Sequence, residues 1–351
     1  MTGPARLAAL VAVALVATFA GTAQAAPAER SSGAAAPASL RDTILREPVR
    51  TLLAREAMDV WGGSYVTSTG ETVRVFASDA YAADTSFNQA RAEAIARLPH
   101  GAELSGLTAY FLTFDEMQSV CGRQALACYS PREQTLVSLG ENAPDGTSAE
   151  SITGHEYGHH VAANRINPPW LALDWGTKRW ASAVGICARE RSGEVFPGDP
   201  FRYELDPAEG FAEAYRVLTE IKAGRPPEWW DIVDRLFYPD AAALAAIEQD
   251  VATPWASPPA LARSGSVSAA RAARTRSFRI PTPLDGTLRV TVRPPARAAL
   301  RLSLAAGSTV LKQATAGTRT IETTVCGQRE VVVRVARVRG AGTFRLAISR
   351  P

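Results

Sequence analysis

At Val251 the chain changes the spacing of its apolar residues. Before that point they recur three and four apart, over runs long enough for helices. After it they alternate with polar residues in short runs broken by Gly and Pro. A period near 3.6 buries a stripe of a helix and a period of 2 buries one face of a strand, so the two stretches call for different architectures. The expected layout is an α+β domain over 41–252, a linker over 253–275 rich in Pro, Ala, Ser, Gly and Arg, and a small all-β sandwich over 276–351. Seven runs would supply its strands: Phe278–Ile280, Leu288–Val292, Leu300–Leu304, Thr309–Leu311, Thr320–Val325, Val331–Val338 and Phe344–Ile348.

The first 26 residues have the layout of a secretory signal peptide, with an apolar run from Leu7 to Ala20 and small residues ending in Ala23-Gln24-Ala25. Residues 27–40 then predict a disordered leader or short pro-segment. No later stretch reaches the roughly 18 apolar residues of a membrane span, so a secreted protein is expected. The even number of cysteines suits an oxidising compartment. Cys121 and Cys128 are placed for a local bridge, which leaves Cys187 and Cys326 to join the two domains, although three pairings remain open. A zinc site made of all four is disfavoured because no Cys-x-x-Cys pair is present.

Within 41–252 the spacing of Ile44, Leu45, Val49, Leu52, Leu53 and Met58 predicts a helix between Leu40 and Trp61. A strand is expected over Glu71–Phe76, a helix over Ser86–Leu98, and strands over Leu107–Leu112 and Gln134–Leu139. The last of these is either an ordinary core strand or the rim of a cleft, where it could pair with an extended peptide. Trp170, Trp175 and Trp180 fill a core or, as the lesser alternative, wall a pocket.

Three of the four histidines fall in His155-Glu156-Tyr157-Gly158-His159-His160. On a helix, residues four apart share a face, so His155 and His159 can present ring nitrogens to one metal ion while Glu156 stands beside them as a proton acceptor. Thr147-x-x-Glu150 has the form of a capping box, and Asn167-Pro168-Pro169 ends the run. A catalytic zinc takes three protein ligands. The third can come from a second helix, opened by Asp206 as N-cap and Pro207 at its first position, which carries Glu209 and Glu213 on one face. One of these carboxylates completes the set; the other accepts from the outer N–H of a ligand histidine. His160 points about 100° away from His159 and is expected outside the ligand set. No role is expected for His100.

His155-Glu-x-x-His159 followed by Glu209-Gly-Phe-Ala-Glu213-Ala-Tyr resembles the gluzincin class of zincin metallopeptidases, with its nearest likeness the catalytic domain of anthrax lethal factor and related secreted peptidases. The resemblance implies one Zn²⁺ held by His155, His159 and Glu209, with Glu213 behind a ligand histidine, Glu156 as general base and Tyr203 as an assisting tyrosine. Metzincins fit worse, since Ala162 and Arg165 stand where they need Gly and His. The implied activity is endopeptidase, on a peptide or protein substrate. The alternatives are a zinc amidase acting on cell-wall peptides, or an exported protein that binds metal and envelope without cutting. The β-domain resembles the small jelly-roll modules of secreted bacterial peptidases.

From Arg263 onward, sixteen Arg and one Lys face three acids, a net charge of +14 that leaves −11 for the rest of a chain totalling +3. The arginines alternate with apolar residues and belong on solvent-facing sides of strands. Such a surface can hold an anionic cell-wall polymer or another acidic surface. No Tyr or Trp and only two Phe stand among them, so no series of aromatics interleaves them to stack bases and sequence-specific nucleic-acid binding is not expected.

Overall fold

The computed structural model describes residues 41–351 apart from position 228, and the expected signal peptide and leader lie outside those residues. In chain order the first part comprises β1 (Arg41–Ile44), α1 (Val49–Arg55), β2 (Val60–Val66), β3 (Thr72–Ser78), α2 (Thr85–Ala96), β4 (Thr108–Leu112), α3 (Phe114–Cys121), β5 (Ala125–Ser130) and β6 (Thr135–Leu139). It continues with α4 (Ala149–Ala163), α5 (Ala172–Trp175), α6 (Lys178–Val184), α7 (Ile186–Ser192), α8 (Pro207–Lys222) and α9 (Ala241–Ala252).

Six strands form one mixed sheet in the order β1-β5-β6-β4-β3-β2. Strands β3, β4 and β6 run parallel, β5 is antiparallel to β6, and β1 is parallel to β5. Both faces are covered, which is why β4, β5 and β6 are buried at every position rather than at alternate ones. On one face α1 and α3 bury Leu52, Met117 and Val120 against Tyr110, Leu112 and Val137. On the other, α2, α4 and α8 bury Ile95, Tyr157, Val161, Phe211 and Tyr215 against Val75, Phe111 and Leu136.

Helix α4 is the centre of this second layer, with thirteen of its fifteen residues buried. A helix enclosed on nearly all sides needs close neighbours, and Gly158 permits one: a Cβ there would stand 2.8 Å from Cα of Ala212 on α8. The cap of α4 is Ser148, whose hydroxyl accepts from the backbone N–H of Ser151; Thr147, expected in that role, instead donates its N–H to Asp145.

The expected helix between Leu40 and Trp61 is a strand, a short helix and the start of another strand. Pro48 is the reason: it cannot donate within a helix and stands as the N-cap of α1. Strand β5 was not anticipated, because its unbroken burial leaves no alternation to read. Of the three tryptophans, Trp180 is core, against Phe211 and Phe237, while Trp170 and Trp175 stack 4.4 Å apart and half-buried.

The C-terminal part contains β7 (Leu261–Val267), β8 (Thr275–Pro281), β9 (Gly286–Arg293), β10 (Ala299–Ala306), β11 (Thr309–Gln313), β12 (Thr320–Val325), β13 (Glu330–Arg339) and β14 (Gly342–Ser349). They form two four-stranded antiparallel sheets, β11-β10-β13-β8 and β12-β9-β14-β7, whose inner faces meet through Val290, Leu302, Val333, Phe344 and Leu346. Strand β7 lies inside the stretch read as linker; it is an edge strand, and its Ser and Gly content suits a position with one open side.

Two disulfides are present, Cys121–Cys128 joining α3 to β5 and Cys187–Cys326 joining α7 to the sandwich. The same contact is reinforced by Asp285, whose N–H donates to Ser182 Oγ, and by Arg329, which reaches both Asp285 and the Ser182 carbonyl. Among the described residues no helix is long and apolar enough to cross a membrane.

Candidate metal centre

The i, i+4 spacing on α4 sets the rings of His155 and His159 side by side, with centroids 5.1 Å apart. Helix α8 crosses α4 at Gly158 and brings Glu209, in its first turn, to the same point. Glu209 Oε2 lies 3.4 Å from His155 Nε2 and 3.3 Å from His159 Nε2. The N-terminal strand supplies a fourth group absent from the sequence reading. Asp42 Oδ1 is 3.6 Å from His155 Nε2, and its Oδ2 accepts from His159 Nε2 at 2.9 Å. The donor atoms of Asp42, His155, His159 and Glu209 all lie within 4.8 Å of one another, and all four residues are buried.

These spacings fit a shared ion. Donors about 2.0–2.2 Å from one tetrahedral zinc stand about 3.3–3.6 Å from each other, the separations observed from Glu209 to His155 and to His159. As hydrogen bonds the same contacts are long. The electrostatics agree. Burial is the largest influence on His155 and pulls its imidazole down, yet the Asp42 charge and hydrogen bonds to Asp42, Glu209 and Glu213 hold it well above the ordinary histidine range. His159, likewise opposed by burial, is pushed up to about 10 by Glu209 and Asp42. Carboxylates concentrated in a dry site create a demand for positive charge, which protonated imidazoles or a metal cation can meet.

Glu156 is fully buried in the same turn of α4, and neither of its carboxyl oxygens has a hydrogen-bond partner. Burial, then the Asp42 charge, lifts its carboxyl well above the usual carboxylate range. It lines a small cavity with Asp42, Leu126, Ala127, His155 and Trp230. An unpartnered buried carboxyl is costly to hold.

Glu213, one turn beyond Glu209, stands behind His155, with Oε2 3.4 Å from Nδ1. It is fixed by Arg216, whose Nε donates to Oε2 at 2.8 Å and whose Nη2 donates to Oε1, and by the backbone N–H of Trp230 at 2.8 Å. Burial would raise the Glu213 carboxyl, but Arg216 and His155 hold it below the ordinary range. Arg216 also reaches Glu220 at 2.7 Å and lies under the Trp230 ring, which in turn stacks on His155. Tyr203 donates its hydroxyl to Asp42 Oδ1 rather than facing the histidines directly.

The structure thus brings together His155, His159, Glu209, Glu156, Glu213 and Tyr203. It keeps His160 apart, between the Tyr129 hydroxyl and the Glu103 carbonyl at 2.9 Å each. His100 is 3.8 Å from Glu71, away from the cluster. Strand β6 lies between β4 and β5 and has no free edge, so it is a core strand rather than a rim; the outermost strand on that side of the sheet is β1. Asp42, Arg216 and Trp230 are the site's additional members. Only Arg216 left a readable signal, as the middle of Glu213-x-x-Arg216-x-x-x-Glu220 on one helix face.

No family model matches the chain, and no curated protein does. Among solved structures it is similar to the pre-peptidase C-terminal domain of a collagenase from Bacillus anthracis, at 14% identity and a TM-score of 0.21, covering 26% of this chain and 89% of that one.

Proposed function

We propose that the protein is a secreted zinc-dependent endopeptidase. The observation that carries this is Glu156: a fully buried carboxyl without a hydrogen-bond partner, adjoining a convergent set of metal donors. A site that served only to hold an ion would gain nothing from it, whereas hydrolysis needs a proton acceptor beside the metal.

The residues divide the work as follows. His155, His159 and Glu209 hold the ion. A zinc ion held there supplies Lewis acidity, which acidifies water and polarises a carbonyl. Glu156 takes the proton of the attacking water and delivers it to the leaving amine. Glu213, clamped by Arg216, keeps the His155 ring oriented with Nδ1 protonated. The Tyr203 hydroxyl, once released from Asp42, can donate to the oxygen on which charge develops.

One observation favours a second reading. With Asp42 the cluster offers four protein donors, and a four-donor shell is the mark of a structural metal site. In that case the protein would bind metal without cutting.

Elemental analysis and cleavage of a mixed peptide library, run on wild type and Glu156→Gln, separate the two. One zinc per chain in both proteins is expected, with cleavage reduced about 10²–10⁴-fold in the variant. Equal and measurable cleavage by both proteins, or wild type purified without zinc, would sink the peptidase reading.

A further inference from the structure

Strand β1 occupies a place that four independent features mark as a groove. It is the outermost strand of the sheet beside the donor cluster, and it pairs with the otherwise free edge of β5: Arg41 N–H donates to the Gln124 carbonyl and Leu45 N–H to the Tyr129 carbonyl, both at 2.8 Å. It is four residues long and contributes one large apolar side chain, so little packing holds it. Two cavities adjoin it and share Asp42 as a lining residue. The small one reaches Glu156 and Trp230, and a broader cleft is lined by Arg41, Thr43, Ile44, Tyr203 and Glu209. Finally, the ladder slips between Arg41 and Asp42, whose partners are Ala125 and Ala127, and such an irregularity re-aims a side chain. Here the re-aimed side chain is Asp42, and its carboxylate goes to His155 and His159.

We propose that residues 41–44 are an intramolecular occupant of the substrate groove: β1 takes the edge of β5 along which an extended peptide substrate lies, and Asp42 takes the coordination position that water needs. This rests on the peptidase reading above. The segment is not a substrate, because it presents a carboxylate, not a main-chain carbonyl, to the donor cluster. Tyr203 is engaged by the same residue, since its hydroxyl donates to Asp42 and accepts from the Asp42 N–H at 3.4 Å. One segment therefore closes three things at once: the peptide-binding edge, the fourth metal position and the assisting hydroxyl. Beyond Leu45 the chain turns through Arg46 and Glu47, both exposed, before α1 begins at Val49. Hydrolysis of the Arg46–Glu47 bond, with one water consumed and a new carboxyl and amine formed, would leave β1 joined to β5 and the donor cluster by non-covalent contacts alone: its ladder and the bonds of Asp42. The occupant addressed by this groove is an extended peptide, joined to β5 by main-chain hydrogen bonds.

The test uses the full chain loaded with Co²⁺, whose visible spectrum reports an added ligand, titrated with a short peptide hydroxamate. Three proteins are compared: wild type, Asp42→Ala, and a form with a site-specific protease sequence inserted between Arg46 and Glu47, before and after cutting. The expected result is hydroxamate affinity at least tenfold higher in Asp42→Ala and in the cut form, with one metal per chain throughout and peptide cleavage raised in parallel. Equal affinity in all forms overturns the proposal. So does loss of the metal from Asp42→Ala, which would make Asp42 a permanent ligand. If affinity rises but no library peptide is cut, the occupancy stands and the peptidase reading falls.

Discussion

Among the described residues the α/β part buries fourteen Asp, Glu, His, Lys and Arg side chains, whereas the sandwich buries Asp285 and none of its sixteen arginines. The sandwich core is Val, Leu, Ile and Phe, and its charge lies on the outside. The α/β part runs a band of carboxylates, imidazoles and guanidinium through its centre, from Asp42 across α4 to Glu213, Arg216 and Glu220 on α8. Removing an ion from water costs several kcal/mol unless partners replace the solvent. A domain that needs only stability can be built as the sandwich is. The buried band therefore has no counterpart in the sandwich, and on this ground the candidate site belongs to the first part independently of any motif.

The strongest way to break this contrast is to remove the central cation of the band. Arg216→Met leaves Glu213 and Glu220 facing each other inside the protein without the guanidinium between them. Breaking a buried ion pair on one side costs about 3–5 kcal/mol, and urea unfolding should show a loss of that size. Because Glu213 would no longer be clamped behind His155, metal affinity should also fall, by about 10–100-fold. A loss below about 1 kcal/mol would mean that the buried charges are not energetically tied to one another.

The next test concerns the connection between the two parts. Cys187 and Cys326 are 139 residues apart, and Cys121 and Cys128 only seven. In the chain-entropy account the longer loop gains more from closure, with about 2–4 kcal/mol typical. Replacing Cys187 and Cys326 by Ser should therefore destabilise more than replacing Cys121 and Cys128, and it should separate unfolding of the sandwich from that of the α/β part. A single unchanged transition in both double variants would show that Asp285 and Arg329 suffice to couple them.

These contrasts also explain what could be read in advance. His155, Glu156, His159, Glu209 and Glu213 lie on two helices, where contact follows from spacing of three or four, so sequence alone places them on common faces. Strands such as β9, β10 and β14 were legible because one face is buried and alternates with a more open one, whereas β11 buries no residue and was read from its composition and flanking turns. Asp42 was not, since it reaches His159 across 117 residues and belongs to a strand too short to show a period. Nearby Leu45, Leu52 and Leu53 are spaced as a helix would space them, which hid the break at Pro48. Trp230 stacks on His155 from an irregular segment, where no periodicity applies.

The smallest expected effect sharpens the other side of the comparison. Arg345 on β14 is directly opposite Arg293 on β9, and both are exposed. Like charges directly opposite on neighbouring strands repel, and no buried group depends on either one. Arg345→Ser should therefore change stability by no more than about 0.5 kcal/mol, in the stabilising direction at low salt. The gain should shrink as added salt screens the pair, because exposed charges about one strand spacing apart lie well within the roughly 10 Å Debye length at 0.1 M but not within the roughly 3 Å at 1 M. Urea unfolding at the two salt concentrations reads both the sign and its loss. A cost of several kcal/mol, as at Arg216, would mean that this face of the sandwich carries an arrangement as interdependent as the metal centre, and the division of labour between the two halves would have to be abandoned.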